Sequence, residues 1–244
     1  MNACAATMTA SLRSPATQFR TSNAMHGERT LDLGAIQHLV IAGWTGRNVA
    51  ALEAHIKELE TLGVARPKSV PIFYRNAASL LTSSGSIEAV GDKSSGEVEF
   101  VLYSFANGLW LGIGSDHTDR QAETINVTRA KQMCAKPVGP LLWSYADVKP
   151  HWEKLTLRSF VPGEGGRRRL YQEGSVATMR SPEELIRLYT GGDTLAAGTA
   201  MFCGTLPAHG GVSYANVFEM ELEDPVLDRR LTHRYGIVQL PDEG

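Results

Sequence analysis

The sequence predicts an α+β fold dominated by short strands, with only a few short helices. Three observations carry this expectation. Stretches of about four to eight residues, alternating apolar and polar or running apolar, recur between Gly, Ser, Asn and Asp clusters. Helical spacing of apolar residues is clear only near residues 49–62 and 182–190. Those helices do not alternate with strands as βαβ units would, so a doubly wound parallel sheet is not expected.

Residues 1–27 carry no acidic side chain and two arginines, Arg13 and Arg20, among many Ser, Thr and Ala. That composition cannot bury a core and predicts a disordered extension. It reads either as an extension ahead of a start at Met25 or as a mitochondrial transit peptide. Folded pattern begins near Leu31, and residues 37–42 read as a strand. After the Gly43–Gly46 turn, Asn48 is placed to cap a helix over 49–62. Its Leu52, Ile56 and Leu59 share one face with Gly63, which ends it, while Glu53, Lys57 and Glu60 lie opposite. Strands follow over residues 69–74, 87–90, 97–103 and 110–113, then over 155–160, 169–172, 199–203, 218–223 and 231–238. Residues 163–169, with three glycines and three arginines, read as a solvated hairpin loop. Ser181-Pro182-Glu183-Glu184 opens a helix, with proline in its first position and acids in its first turn.

Composition excludes several classes. With 24 basic and 26 acidic residues the net charge is −2, too small for the basic field that broad nucleic-acid binding needs. The longest uncharged apolar stretch, residues 194–208, is broken by Gly198, Gly204 and Pro207, so no membrane-spanning helix is expected. Cys4, Cys134 and Cys203 lack metal-ligand spacing and are odd in number, which disfavours a disulfide framework and suits a reduced, cytoplasmic setting. No nucleophile elbow, His-Glu-x-x-His, P-loop or dinucleotide fingerprint occurs.

Three places hold residues of chemical interest. In Gly96-Glu97-Val98-Glu99-Phe100-Val101-Leu102, strand alternation points Glu97 and Glu99 one way and Val98, Phe100 and Leu102 the other. Two carboxylates on one face suit a hard divalent cation such as Mg²⁺; a solvent-facing polar edge is the plain alternative, and spacing alone favours it. The Glu219, Glu221, Glu223 series repeats the pattern and reads as a surface face. Asp116 or Asp119 could complete an oxygen set and Arg120 could hold a carboxylate, unless the segment is a simple Asx-type turn. His55 and Glu58, three apart on the first helix, are neighbours on its flank and suit a general base, or an ordinary charged surface.

Taken together and in order, these pieces resemble the fumarylacetoacetate hydrolase superfamily, in a divergent form. Gly46-Arg47-Asn48 leading to His55-Ile56-Lys57-Glu58 is similar to that family's Gly-Arg-Asn turn and His-x-x-Glu helix, set one helical turn later. Glu97 and Glu99 match its Glu-x-Glu strand, and Asp116-His117-Thr118-Asp119-Arg120 its Asp-x-Thr-x-Arg turn. Lys131 followed by Pro137-Val138-Gly139-Pro140 resembles its Lys and Pro-x-Gly-Pro at a shorter interval, with Cys134 and Lys136 departing from the usual residues. Tyr171-Gln172 through Met179 to Pro182-Glu183-Glu184-Leu185-Ile186, and Gly204-Thr205 with Pro207, continue the match over residues 39–235. Tyr74 and Arg75 stand where the family has Lys-Pro, and His209 is an extra candidate side chain. The chain also resembles a bacterial subgroup near that superfamily known only as a domain of unknown function.

The resemblance implies a mixed β-sheet roll and a homodimer. It implies Mg²⁺, or Mn²⁺, held by Glu97, Glu99 and Asp116. Lys131 and Thr205 would lie near a bound 2-oxo acid, with Arg120, Gln172 and Tyr74 as further substrate contacts. His55, backed by Glu58 on a mobile lid, would activate water. The chain then divides into the 1–27 extension, a small strand–helix segment over 28–70 bearing the lid, and a metal-binding catalytic domain over 71–244. The reactions implied are hydrolytic C–C cleavage of an acylpyruvate, oxaloacetate-type decarboxylation, or dienoate isomerisation and hydration, all through an enolate. A catalytically silent relative serving as a binding or scaffold protein is the competing reading.

Overall fold

The computed structural model describes residues 18–23, 27–61 and 66–243. Along the chain β1 (Gln18–Asn23) pairs with β2 (Gly27–Asp32), and β3 (His38–Gly43) leads into α1 (Val49–Thr61). Strands β4 (Ile72–Asn76), β5 (Leu81–Thr82), β6 (Ser86–Val90) and β7 (Ser94–Ser95) precede the long hairpin of β8 (Val98–Phe105) and β9 (Gly108–Ser115). Then come β10 (Thr118–Asp119), α2 (Arg120–Glu123), α3 (Val127–Met133), β11 (Lys136–Pro137), β12 (Leu141–Ser144) and α4 (Tyr145–Val148). The chain closes with β13 (Thr156–Pro162), β14 (Arg168–Ser175), α5 (Pro182–Thr190), β15 (Thr199–Phe202), β16 (Val217–Asp224) and β17 (Arg229–Leu240).

The strands form the expected mixed architecture. An eight-stranded sheet runs β2-β1-β12-β9-β8-β15-β3-β4, and a five-stranded sheet runs β14-β13-β16-β17-β6. The larger sheet is buried on both faces. Val98, Phe100, Leu102, Leu111 and Ile113 face Leu157, Phe218, Met220, Leu222 and Tyr235 of the second sheet. Leu39, Ile41, Val101, Tyr103, Leu142 and Phe202 pack on the other side. Double burial is why residues 98–103 read as a near-continuous apolar run rather than an alternating one.

The local signals act as read. Asn48 Oδ1 accepts the Ala51 N–H at 3.0 Å at the start of α1, which buries Ile56. Ser181 caps α5 through the Glu184 N–H at 3.2 Å, and Gly191 closes it in a left-handed conformation (φ 74°). The Gly63 stop expected for the first helix lies outside the described residues. Among the described residues no helix is long and apolar enough to cross a membrane.

Strand pairing bears on two of the segments expected from sequence. Residues 18–23, assigned by composition to a disordered extension, form β1, which also pairs in parallel with β12. Ladder hydrogen bonds use the backbone, which composition does not weigh. Within the 28–70 segment, β3 is an interior strand between β15 and β4. The rest of residues 1–27 lies outside the description.

Gly112 of β9 shows how tightly the large sheet is packed: a Cβ there would lie 2.6 Å from Leu142 and 2.8 Å from Tyr103. Overpacking of this kind costs about 1–3 kcal/mol. Gly112→Ala should lower the unfolding free energy measured in urea by that much while leaving the circular-dichroism spectrum of the folded state unchanged.

Candidate metal centre

The β8–β9 hairpin assembles the centre. Its register sets Glu99 opposite Gly114 and Val98 opposite Ser115. One step further, the Asp116 N–H donates to the Glu97 carbonyl at 3.0 Å and the Glu97 N–H donates to Ser115 Oγ at 3.2 Å. Asp116 therefore stands directly across from Glu97, and one carboxylate oxygen from each of Glu97, Glu99 and Asp116 lies within 4.8 Å of the others. Glu99 and Asp116 are buried, and Glu97 is half-buried.

Each carboxylate meets a different environment. Asp116 lies between two lysines: Lys131 of α3 donates to Oδ2, and Lys136 of β11 sits 3.0 Å from Oδ1 while also donating to the His117 carbonyl. Burial works against a charged Asp116, but the two ammonium groups outweigh it and hold its carboxyl well below the usual range. Lys131 is likewise disfavoured by burial yet held above its ordinary range by Asp116, Glu97 and Glu123. Burial, with Lys131 alongside, pulls Lys136 downward. Glu97 lies 3.3 Å from Arg120 of α2, which also bonds Glu123 at 2.9 Å and Ser95 Oγ at 2.6 Å. Glu99 has no ion pair among the described residues; its Oε2 accepts the Gly204 N–H at 2.7 Å. Burial, then Asp116 and Glu97, pushes its carboxyl well above the usual range. Three converging hard oxygen donors, one buried without a cation, fit a divalent ion of the Mg²⁺ type.

Neighbouring elements hold these groups in place. Gln172 of β14, wholly buried, accepts from the Val98 N–H (3.1 Å) and Ser159 Oγ (2.8 Å). Its amide donates to Thr205 Oγ1 (2.8 Å) and the Leu206 carbonyl (2.6 Å). Thr205 in turn donates to the Val98 carbonyl at 2.7 Å. Gly204 has φ +99°, and a Cβ on it would fall 1.8 Å from Thr45 Oγ1, so only glycine fits. His117 bridges Ser94 Oγ and the Tyr235 hydroxyl, each at 3.0 Å, and Tyr235 donates to Ser115 Oγ at 2.8 Å.

Of the residues singled out from sequence, the structure brings together Glu97, Glu99, Asp116, Lys131, Arg120, Gln172 and Thr205, and places the Tyr74 ring 5.7 Å from Lys131 Nζ. The hydrogen-bonding capacity of Gln172 is taken up by the protein, so it positions Thr205 and β8. Arg120 is turned toward Glu97, Glu123 and Ser95. His55 and Glu58 lie on α1, and their side chains fall outside the description. Lys136 was not anticipated as a site residue. Its signal is present, since it is the one charged residue between Lys131 and Asp147, and a lysine in an apolar run needs a buried partner. Two surface concavities, of about 390 and 550 Å³, are lined by residues around Arg168, Glu219 and His233 and by the 163–169 loop; neither reaches the carboxylates.

The family profile described as "Protein of unknown function (DUF2848)" matches residues 42–235. No curated protein is significantly similar to the chain. Among solved structures, Cg1458 with an inhibitor superposes with a TM-score of 0.60 at 19% identity, covering 88% of this chain and 84% of that one. A 2-keto-3-deoxy-D-arabinonate dehydratase complexed with magnesium and 2,5-dioxopentanoate gives a TM-score of 0.57 at 16% identity, covering 89% and 78%. Its apo form gives 0.58 at 17% identity, covering 88% and 78%. The fold is thus of the fumarylacetoacetate hydrolase type, as the motif order implies.

Burial, reinforced by Lys136 and Arg120, lowers the His117 imidazole from 6.5 to about 3, so it is neutral at pH 7. Below 6.5 the unfolded chain takes up a proton that the folded protein refuses until near 3, so stability falls as pH falls through that window. The slope approaches about 1.4 kcal/mol per pH unit. Between pH 7 and pH 5 the wild type should lose about 2 kcal/mol more than His117→Gln in urea unfolding. Equal losses would show that His117 is protonated in the folded state.

Proposed function

This chain belongs to the family described as "Protein of unknown function (DUF2848)", and on that footing we propose that it is a divalent-metal-dependent enzyme acting on a small 2-oxo acid. The observation that carries this reading is the convergence of Glu97, Glu99 and Asp116 beside the buried Lys131. With all four carboxylates ionised, as a bound ion would require, Glu97, Glu99, Asp116 and Glu123 against Arg120, Lys131 and Lys136 leave one negative charge. A divalent ion turns that into one positive charge, which suits a carboxylate ligand. A solved fold-mate, the dehydratase complexed with magnesium and 2,5-dioxopentanoate, supports the pairing of such an ion with an oxo compound.

Bound at the three carboxylates, Mg²⁺ or Mn²⁺ would polarise the 2-oxo group and stabilise a developing enolate. The protein's own groups do the rest. Lys131, paired with Asp116, balances the charge of substrate and enolate and can move a proton at the enolate carbon. Thr205, fixed by Gln172, and Tyr74, against Lys131, bound the space where the ligand lies. Arg120 holds Glu97 in position. In the first reading, the reaction is hydrolytic C–C cleavage of an acylpyruvate-like substrate, with His55 and Glu58 of α1 activating water. The second reading is a lyase or isomerase that needs no activated water, and the dehydratase fold-mates favour it. A cytoplasmic homodimer belongs to the same proposal.

Calorimetric titration of the metal-free protein tests the centre. The wild type should bind one Mg²⁺ or Mn²⁺, and Glu99→Gln and Asp116→Asn should each weaken binding by about 100-fold. A wild type that binds neither ion refutes the metal centre. Turnover assays on acylpyruvates and oxaloacetate then separate the two readings. If the enzyme is a hydrolase, His55→Ala should lower pyruvate release from an acylpyruvate about 10²-fold or more. Unchanged pyruvate release in that variant removes His55 from the hydrolytic step; wild-type turnover of oxaloacetate but not of acylpyruvates selects the lyase reading, and a metal-binding wild type without turnover on any such substrate identifies a silent relative.

A further inference from the structure

We propose that Lys136 is a positioning residue that couples metal binding to ligand binding, by keeping the empty centre short of the charge a divalent ion would need alone. The inference rests on the metal-centre reading above and extends it. Lys136 is wholly buried, and its polar partners are protein oxygens, Asp116 Oδ1 and the His117 carbonyl. Its Nζ reaches 3.0 Å from Asp116 Oδ1 and donates to the His117 carbonyl, pinning the turn after β9. Lys131 takes the other Asp116 oxygen. One of the three presumed metal donors is therefore shared between two ammonium groups, and Glu97 is shared with Arg120.

The consequence follows from charge balance in a buried place. With Lys136 present, a divalent ion arriving alone leaves a net positive charge of one in a site of low polarisability, which is unfavourable. An anionic ligand removes that charge, so ion and ligand favour each other. Without Lys136 the four ionised carboxylates outnumber the cations by two, and a divalent ion neutralises them unaided. One lysine, paired with a metal donor, thus sets whether the ion stays resident or arrives with the substrate.

The test is calorimetry with Mg²⁺ alone and with Mg²⁺ at saturating oxalate, a planar dicarboxylate shaped like an enolpyruvate. The wild type should bind Mg²⁺ at least about 10-fold more tightly when oxalate is present. Lys136→Met, and Lys136→Gln, which keeps a donor for the His117 carbonyl, should bind Mg²⁺ alone about 10-fold or more tightly than wild type, with a smaller gain from oxalate. A merely structural role predicts the opposite sign, weaker binding in both variants. Wild-type binding that oxalate does not tighten overturns the inference, as do equal or weaker Mg²⁺ affinities in the variants. Wild-type protein that binds no Mg²⁺ with or without oxalate overturns the metal-centre reading itself.

Discussion

The centre depends on one backbone hydrogen bond, from the Asp116 N–H to the Glu97 carbonyl. It extends the β8–β9 pairing by one rung past the end of the strands and so fixes which residues face each other. A shift of one residue would turn every side chain of β8 to the opposite face. Glu99 would then enter the layer occupied by Phe100 and Leu102, and Asp116 would no longer meet it. Because Val98, Phe100 and Leu102 are buried against the second sheet, that shift is forbidden by the core itself. The hydrophobic effect therefore sets the geometry of the acids, although none of them contributes to it.

Holding acids there works against stability. Two buried carboxylates repel, and burial penalises each of them. The chain answers with cations delivered from different elements: Arg120 from α2, Lys131 from α3 and Lys136 from β11. Buried ion pairs of this kind seldom add net stability over apolar packing. Their presence beside an otherwise dense core is better explained by a site than by the needs of folding. Glu99 fits the same view, since among the described residues it has no ion pair and its Oε2 accepts a backbone N–H.

Much of this was legible in the residues. Glu-x-Glu with flanking apolar residues identified a strand and the face its acids share, and the Asp116 turn followed at hairpin distance. Of what spacing alone left open, burial removes the solvent-facing edge for Glu99 and Asp116, and burial is what a single strand's sequence does not reveal. Gln172 was legible as a residue near the centre but not as a clamp, because its role depends on the meeting of β14, β8 and the segment after β15. Lys136 was legible as a departure from the family residues but not as a site residue, since its partner, Asp116, is twenty positions away in the turn after β9. β1 escaped because strand pairing is made by backbone atoms that every sequence possesses. Fold likeness at this identity fixes architecture, while the reaction is carried by the side chains at the centre.

Thr45 occupies the space that a side chain at position 204 would need. The turn after β3 and the segment after β15 are thus keyed to each other at van der Waals contact, far apart in sequence. For protein engineering, this pair behaves as one invariant unit. Diversity introduced at 204 to reshape the pocket would be spent on chains that cannot close, whereas Pro207 and Ala208, which are exposed or half-buried, leave room for variation. A transplant of the acidic centre to another scaffold would have to carry Thr45 along with the three acids, although no motif links it to them.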